Sequence, residues 1–388
     1  MKEIDSVIES LELIHSRLKL NIPERKRPVF KQLDIDNTRD VIIYGSRGVG
    51  KTTFLLHKSR DRNFFYFSAD NPLTAPFSLF QLVEAAFKKG YDGVVIDEVH
   101  FSKNWEQNLK AIYDSFPDKF IWASGSSNLA LKFSRADLSR RYVTYRLPML
   151  SFREFLYLKE GIELPPVNPF DYQSFDFSIL NRINILSVFR EYLSSGIRPF
   201  FQEGNYCERL SAVVEKSIFF DVPFFVPAIQ DNHLRVMNAI LGHLIFSPVP
   251  TINISKMCSS WHISKEKLYT LLSVMEQTEI LKIVRTRRDA IHQLTKGAKI
   301  FLHDPSIYSC FKGNTGTQRE AFVVFALSER FEVYASDREE EYDYLVSGMK
   351  IEIGGKHKKS KKADFVISDD IDVPVKNRIP LWLLGMAF

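Results

Sequence analysis

Between Asp40 and about Leu147 the chain alternates short apolar runs with longer stretches of helical periodicity. Each apolar run has the length of a buried strand and is bounded by polar or turn-forming residues. The runs are VIIYG, NFFYFSA, GVVIDE, FIWASG and YVTYRL. Strands that alternate with helices in this way form a mostly parallel sheet whose faces are covered by the helices. The pattern therefore predicts an α/β fold for this part of the chain.

The pattern changes on both sides of this segment. Before it, apolar residues recur at helical spacing from Ile4 to Leu18, which predicts a lead-in helix packed on the next domain. After Pro148 come aromatic-rich helices, then a helical section that ends in a short apolar strand, and finally a return to strands. We predict five parts: a lead-in at 1–39, the α/β core at 40–150, a helical segment at 151–214, and two further domains at 215–290 and 291–388.

Composition sets broad limits on the class of protein. A chain of 388 residues exceeds one ordinary domain, and a hydrophobic content of 45% suffices for sizeable cores. The net charge of +5 neither demands nor excludes a nucleic-acid partner. The three cysteines, Cys207, Cys258 and Cys310, lie far apart, which indicates neither a disulfide framework nor a zinc site. No apolar run approaches the ~20 residues that span a bilayer. We expect a soluble protein of the reducing cytoplasm, with no membrane partner.

A glycine-rich loop follows the first predicted strand. Residues Gly45 to Thr52 fit G-x-x-x-x-G-K-[ST], in which backbone N–H groups surround phosphate oxygens. Lys51 would reach the outer phosphates and Thr52 would offer its hydroxyl to Mg²⁺, at the positive end of the helix that begins here. The predicted nucleotide-binding residues are Gly45, Ser46, Arg47, Gly48, Val49, Gly50, Lys51, Thr52 and Thr53. The loop predicts a bound nucleoside triphosphate.

An acid pair ends the strand GVVIDE. Asp97 would emerge at the carboxyl end of this strand beside the glycine-rich loop, where ligands of open α/β sheets collect, and would hold Mg²⁺ directly or through water. Glu98 would then polarise a water for attack on the γ-phosphate, which distinguishes a hydrolase from a kinase-like protein with the same loop.

Two further groups of polar residues are candidates for the same chemistry. The next strand ends in hydroxyl residues, of which Ser124, Ser126 or Ser127 would bond the γ-phosphate or the attacking water. Arg140 and Arg141 precede the last strand of the core, where an arginine can reach the nucleotide of a neighbouring subunit as a finger. The alternative for the two arginines is a surface pair.

Taken together, these residues resemble a family. The series GSRGVGKTT, VVIDEVH with NWEQNLKAIYD, ASGSSNL and SRRYVTYRLPMLSFREFL is similar to prokaryotic AAA-type ATPases that carry a C-terminal domain with a restriction-endonuclease-like fold. The endings EIGGKHK and IPLWLLGM extend the resemblance over nearly the whole chain. Where the family has Gly-Arg this chain has Arg140-Arg141, and the family's arginine corresponds to Arg141. The resemblance implies an AAA-type core, a winged helix, and ATP as the nucleotide.

Residues 252–284 have the order helix, tight turn, helix, strand. Ser264 is placed to cap the second helix, and Ile263 and Leu268 occupy the positions of a hydrophobic staple. The predicted buried face is Leu268, Leu271, Leu272 and Met275, and the positions facing DNA in a helix-turn-helix are Lys265, Lys267, Tyr269 and Thr270. Arg285 to Arg288 would lie on the wing or beyond it. This domain either binds DNA directly or serves as a hinge or subunit contact.

The C-terminal strands carry acids at the positions that the resemblance makes important. In restriction-endonuclease-like folds an Asp and the Glu of E-x-K bind Mg²⁺, and Asp343 and Glu352 match these acids. Gly354 stands where the lysine is expected, which argues against nuclease activity. The run Lys356 to Lys362 is either a solvated loop or a patch that contacts phosphates.

From the sequence we expect a Mg²⁺-dependent ATPase of the AAA class that binds ATP and ADP. Its candidate further partners are DNA, through the winged helix and the basic segments, and other copies of the chain. ATP is preferred to GTP on the resemblance, and no N-K-x-D guanine motif is present. One alternative is a regulatory switch in which hydrolysis is a slow reset without a direct DNA role. Another is a small-molecule kinase, against which the acid pair and the large C-terminal part argue.

Overall fold

The computed structural model describes residues 2–127, 138–173, 175–225, 231–248, 253–287, 298–355 and 362–388. Contacts within the chain divide it into two compact units, residues 1–149 and 150–388. The first unit holds the glycine-rich loop and the acid pair, and the second holds the helical section and the C-terminal strands.

The first unit contains a five-stranded sheet in which every strand is parallel to its neighbours. Its strands are β1 (Asp40–Tyr44), β2 (Phe64–Ser68), β3 (Gly93–Asp97), β4 (Phe120–Gly125) and β5 (Val143–Arg146). Their order is β2-β3-β4-β1-β5, so β3 lies between β2 and β4. The predicted strands and the predicted α/β fold are confirmed, and the arrangement is that of an α/β P-loop NTPase.

Helices pack around this sheet. They are α1 (Lys2–Leu20), α2 (Val29–Gln32), α3 (Lys51–Lys58), α4 (Leu79–Lys88) and α5 (Trp105–Ser115). A capping box starts α4, because the Ser78 hydroxyl accepts from the N–H of Gln81 and the Gln81 side chain accepts from the N–H of Ser78. The lead-in helix α1 buries Ile8 and Leu11 as predicted, and His15 is buried with them.

The second unit begins with helices. These are α6 (Phe152–Glu160), α7 (Ile185–Ser195), α8 (Tyr206–Lys216), α9 (Val222–Phe225), α10 (Asp231–Phe246), α11 (Ile254–Trp261) and α12 (Lys265–Gln277). The Ser264 hydroxyl caps α12 by accepting from the N–H of Lys267, and the four residues predicted for its buried face are all buried. Antiparallel strands β6 (Leu281–Val284) and β7 (Lys299–Leu302) follow α12. Among the helices described, none is both long enough and apolar enough to span a bilayer.

A second sheet and three helices complete the described part of this unit. The helices are α13 (Ser306–Cys310), α14 (Thr315–Ser328) and α15 (Leu381–Leu384), and the strands are β8 (Val333–Ala335), β9 (Tyr344–Val346), β10 (Met349–Ile353), β11 (Phe365–Ser368) and β12 (Arg378–Pro380). The sheet order is β12-β11-β10-β9-β8, antiparallel from β8 to β10 and parallel from β10 to β12. The predicted return to strands in this part of the chain is confirmed.

The prediction that the cysteines form no disulfide is wrong. Cys207 at the start of α8 and Cys310 at the end of α13 form a disulfide, with Cα atoms 5.3 Å apart. They are separated by 103 residues in sequence, and only the packing of α8 near α13 brings them together. Cysteine spacing cannot show such a pair. The expected cytoplasmic location loses the support of the cysteines and stays a prediction.

Candidate functional site

The loop between β1 and α3 owes its course to glycines. Gly48 and Gly50 have φ of 74° and 95°, a left-handed conformation that glycine adopts without strain. At Gly45 a Cβ atom would lie 2.4 Å from the carbonyl oxygen of Leu147. The motif glycines are therefore required by backbone geometry as well as by close approach, and the loop ends at the first residue of α3.

The side chain of Lys51 is folded into this loop. Its Nζ donates to the carbonyl oxygens of Gly45 at 2.8 Å and Ser46 at 3.1 Å, and the residue is buried. Ser46 and Val49 are also buried, whereas Thr52 and Thr53 are half-buried in the first turn of α3. The ammonium group is thus held at the mouth of the loop by partners that it can exchange for phosphate oxygens.

A buried arginine ahead of the sheet anchors the loop. Arg27 donates to the carbonyl oxygens of Val49 at 2.7 Å, Pro148 at 2.8 Å and Met149 at 3.2 Å. It belongs to the basic segment ERKRPVFK and is 3% exposed, a burial that the residues around it do not predict. Arg27 links the loop after β1 to the segment after β5, which fixes the loop relative to the sheet.

Asp97 is the centre of a cluster of hydroxyl groups. Its Oδ2 accepts from Thr52 Oγ1 at 2.6 Å and from Tyr66 OH at 2.9 Å, and its Oδ1 accepts from Ser124 Oγ. Tyr66 is on β2 and Ser124 is next to the last residue of β4, so the neighbours of β3 on both sides contribute. The predicted approach of Thr52 to Asp97 is present: two oxygen ligands of the kind Mg²⁺ prefers lie side by side.

Tyr66 is a functional candidate that the sequence analysis missed. Burial, followed by the nearby Asp97 carboxylate, raises the pKa of Tyr66, so its phenol stays protonated and donates. The ring lies 5.6 Å from that of His15 on α1, centroid to centroid. Burial, followed by the charge of Lys19, lowers the pKa of His15 to about 4, so that ring is neutral near pH 7. In the sequence, the one sign of this role is a single tyrosine within the apolar strand β2.

Glu98 follows Asp97 in a strained backbone conformation. Its φ is 49°, a left-handed value that costs a residue other than glycine about 1–3 kcal/mol. Its N–H donates to Ser124 Oγ at 3.2 Å, which helps to hold this turn. Its carboxylate lies 3.9 Å from Nη1 of Arg47 in the glycine-rich loop and 3.5 Å from Nε2 of His100. The two predicted catalytic elements, loop and acid, are therefore in direct contact.

The hydroxyl and arginine candidates occupy different places. Ser124 is fully buried beneath Asp97 and bonds that carboxylate, so in this structure it orients the acid. Ser126 and Ser127 continue the chain at the same edge of the sheet and are also buried. Arg141 precedes β5 and therefore lies at the opposite, amino edge, where it donates to both carboxylate oxygens of Asp114 at 3.1 and 3.3 Å. The chain does not bring Arg141 to its own glycine-rich loop.

Of the two acids matched in the C-terminal part, Asp343 directly precedes β9 and Glu352 lies on the neighbouring strand β10. Glu352 is fully buried, and Asp343 Oδ2 accepts from the N–H of Ile353 at 2.8 Å. Within the residues described, no group of three or more His, Cys, Asp and Glu side chains is placed to hold a metal ion. Arg288 and all of the lysine run except Lys362 lie outside the described residues.

Comparison with known proteins bears on the first unit. Residues 37–156 match the family model described as AAA domain. Over 290 residues the chain is 27% identical to an uncharacterized protein of Methanocaldococcus jannaschii, MJ1637, which covers 66% of this chain. The chain spans 59% of the length of that relative.

Two solved structures are similar in outline. The Walker-type ATPase PABY2304 of Pyrococcus abyssi is 14% identical, with 75% of this chain and 96% of that chain covered and a TM-score of 0.40. RuvB of Thermotoga maritima is 13% identical, with 74% and 91% covered and a TM-score of 0.30. At these TM-scores we draw nothing further from either structure. Residues 37–156 are thus similar to the AAA domain, and the parallel sheet that they contain has the fold of an α/β P-loop NTPase.

Proposed function

We propose that the chain binds ATP at the loop Gly45–Thr53 and hydrolyses it with Mg²⁺. One observation carries the proposal: Thr52 Oγ1 and Asp97 Oδ2 lie 2.6 Å apart at the mouth of the loop, with Glu98 next in sequence. These two oxygens fit a hard divalent cation, and the loop amides and Lys51 fit phosphate oxygens. When bound, Mg²⁺ would neutralise charge on the phosphates.

The residues of the chain have distinct parts in the reaction. Lys51 exchanges the carbonyl oxygens of Gly45 and Ser46 for phosphate oxygens. Glu98 accepts a proton from water as the water oxygen bonds to the γ-phosphorus, while the bond from that phosphorus to the bridging oxygen breaks and leaves ADP and phosphate. Arg47 Nη1 lies 3.9 Å from the Glu98 carboxylate, which must leave this ion pair to reach the attacking water.

An assay of turnover separates this proposal from the nucleotide switch and shows whether the chain prefers adenine or guanine nucleotides. Phosphate release should be measured with ATP and with GTP, each with and without duplex DNA. We expect turnover with ATP above that with GTP, because ATP is the nucleotide of the families that the chain resembles. Slow phosphate release with both nucleotides, unchanged by duplex DNA, would favour the regulatory switch.

Tyr66→Phe should raise the concentration of Mg²⁺ that gives half-maximal turnover by about tenfold, because it removes one of the groups that orient a metal ligand. Turnover at saturating Mg²⁺ should change little. Tyr91→Phe is the matched control, since its hydroxyl also donates to a carboxylate, that of Glu12 at 2.9 Å, away from the loop. Equal effects of the two substitutions, read from a Mg²⁺ titration, would show that Tyr66 has no special part.

We further propose that the chain assembles so that Arg141 of one copy reaches the nucleotide of the next. Its place at the amino edge of the sheet excludes action within one chain, and AAA-type ATPases often form oligomers. Arg141 must leave Asp114 to do so.

Mixing Arg141→Ala protein with Lys51→Ala protein should restore part of the turnover that each lacks, because each supplies the group that the other has lost. The exposed neighbour Arg140 provides the control Arg140→Ala, which should keep turnover. An Arg141→Ala protein that is monomeric by sedimentation and still has full turnover would show that Arg141 does not act on the nucleotide of a neighbouring copy.

A second proposed function is DNA binding by a winged helix made of α11, α12, β6 and β7. The observation that favours it is the exposed first turn of α12, where Lys265 and Tyr269 face solvent beyond the Ser264 cap. Arg287 follows β6 and is exposed, whereas Arg285 is held by Glu276 through bonds of 2.9 and 2.7 Å.

The double substitution Lys265→Ala/Arg287→Ala should weaken binding to duplex DNA and reduce the slope of log K against log salt by about 2, because each lost phosphate contact removes ~0.9 of that slope. Fluorescence anisotropy at several salt concentrations measures both quantities. Arg285→Ala should change the slope much less, since its charge is already paired. Failure to bind duplex at low salt, with or without ATP, would leave the winged helix as a hinge or subunit contact.

A further inference from the structure

A cavity of about 420 Å³ opens at the same edge of the first sheet as the glycine-rich loop. One wall is the segment from Ala69 to Leu82, which follows β2 and begins α4. The other wall is the segment from Phe101 to Asn104 with Asn108 of α5, which follows β3. Because both segments leave the carboxyl ends of neighbouring parallel strands, the cavity lies where open α/β sheets take their ligands.

The lining has an apolar floor and one charge. Phe77, Leu82 and Phe101 supply apolar surface, and Leu82 is fully buried. Lys103 is the only charged residue of the lining, is exposed, and has no ion pair among the residues that the structure describes. Small-molecule sites commonly have a volume of roughly 300–1,000 Å³ with an apolar body and a few polar groups. The lining therefore fits a small molecule with an aromatic or aliphatic body and one anionic group.

Hydrogen bonds hold the cavity open. Asn108 Nδ2 donates to the carbonyl oxygens of Asn104 at 2.8 Å and Lys103 at 3.3 Å, and its Oδ1 accepts from the N–H of Phe80 at 3.1 Å. One side chain thus joins the two walls. These bonds already occupy the amide of Asn108, and the ammonium of Lys103 is the charged group of the lining that can bind an anion.

Phe101 connects this cavity to the acid pair. It ends the 3-10 turn Val99–Phe101 directly after Glu98, and its N–H donates to the Glu98 carbonyl oxygen at 3.0 Å. Its ring lies 5.6 Å from the guanidinium carbon of Arg47, the residue 3.9 Å from the Glu98 carboxylate. A molecule packed on Phe101 from the cavity would hold the ring against Arg47, and so hold Arg47 on Glu98, where the ion pair keeps the carboxylate from the attacking water.

We propose that this cavity binds a small aromatic or aliphatic anion and that its occupant lowers ATP turnover through Phe101, Arg47 and Glu98. The binding half of the proposal stands on the cavity alone. The turnover half rests on the hydrolysis proposed above.

Binding is tested with two fluorescent probes of nearly the same body, anilinonaphthalene sulfonate, which is anionic, and phenylnaphthylamine, which is neutral. Lys103→Gln should weaken the sulfonate by about threefold or more while leaving the neutral probe unchanged. Ala75→Trp, at an exposed position of the lining, should fill the cavity and abolish saturable binding of both. Lys88→Gln, on the same unit and outside the lining, is the control and should change neither. Binding that survives Ala75→Trp, or that ADP displaces, would place the probes elsewhere and overturn the site.

Turnover is tested on the same proteins. The sulfonate should lower the wild-type rate by about fivefold or more at saturation and should have no effect on Ala75→Trp. If the probes bind with the expected pattern among the variants while ATP turnover stays unchanged, that result would overturn the link to Glu98 but would support the binding site. A wild-type protein with no turnover at all would contradict the proposed hydrolysis, and the binding experiment would still decide the site.

Discussion

Glu98→Gln should lower ATP turnover by about 10²–10⁴-fold, because the amide keeps the shape of the side chain but cannot accept the proton of the attacking water. ATP affinity should stay near that of the wild type, since Thr52, Asp97 and Lys51 are unchanged. Turnover is read from phosphate release, and affinity from calorimetry with the inactive variant.

The matched control for this substitution is Glu106→Gln in the first turn of α5, a carboxylate of the same unit outside the hydroxyl cluster. It should retain wild-type turnover. Near-normal turnover by Glu98→Gln would show that another group accepts the proton.

Lys51→Ala should weaken ATP binding by about ten- to a hundredfold, since a charged hydrogen-bond donor to the outer phosphates is worth roughly 1.5–3 kcal/mol. The substitution also removes the donor that now bonds the carbonyl oxygens of Gly45 and Ser46, so the free loop loses part of its order. Calorimetric titration with ATP and Mg²⁺ measures the change.

The control variant here is Lys58→Ala, at the far end of α3, where the ammonium bonds Asp36 at 3.1 Å. It should bind ATP as the wild type does. A thermal melt of each protein separates a lost phosphate contact from a lost fold. Unchanged affinity in a folded Lys51→Ala protein would remove the lysine from the nucleotide site.

Much of the first unit could be predicted because its signals are local. Each strand is a short apolar run, and the motif from Gly45 to Thr52 carries backbone requirements that only glycine meets. The prediction that Asp97 lies beside this loop needed only the rule that parallel strands end at one edge. In the second unit, the helix cap at Ser264 could be predicted for the same reason, because it depends only on residues close together in sequence.

What could not be predicted depends on strand order and on distant pairs. Tyr66 and Ser124 bond Asp97 because β3 lies between β2 and β4, an order that no single run of sequence contains. Burial selects Arg27 from a basic segment in which Arg25 and Lys31 are exposed and Lys26 is half-buried. The disulfide of Cys207 and Cys310 depends on the packing of two helices far apart in the chain.

The most direct test of the central claim is phosphate release from ATP by the wild-type protein with Mg²⁺, after addition of EDTA, and after Mg²⁺ is restored, beside Glu98→Gln in the same conditions. We predict release by the wild type that stops with EDTA and returns with Mg²⁺, and release by Glu98→Gln that is about 10²-fold or more slower with Mg²⁺ present. Release that continues in EDTA, or that Glu98→Gln matches, would contradict Mg²⁺-dependent hydrolysis at Thr52, Asp97 and Glu98.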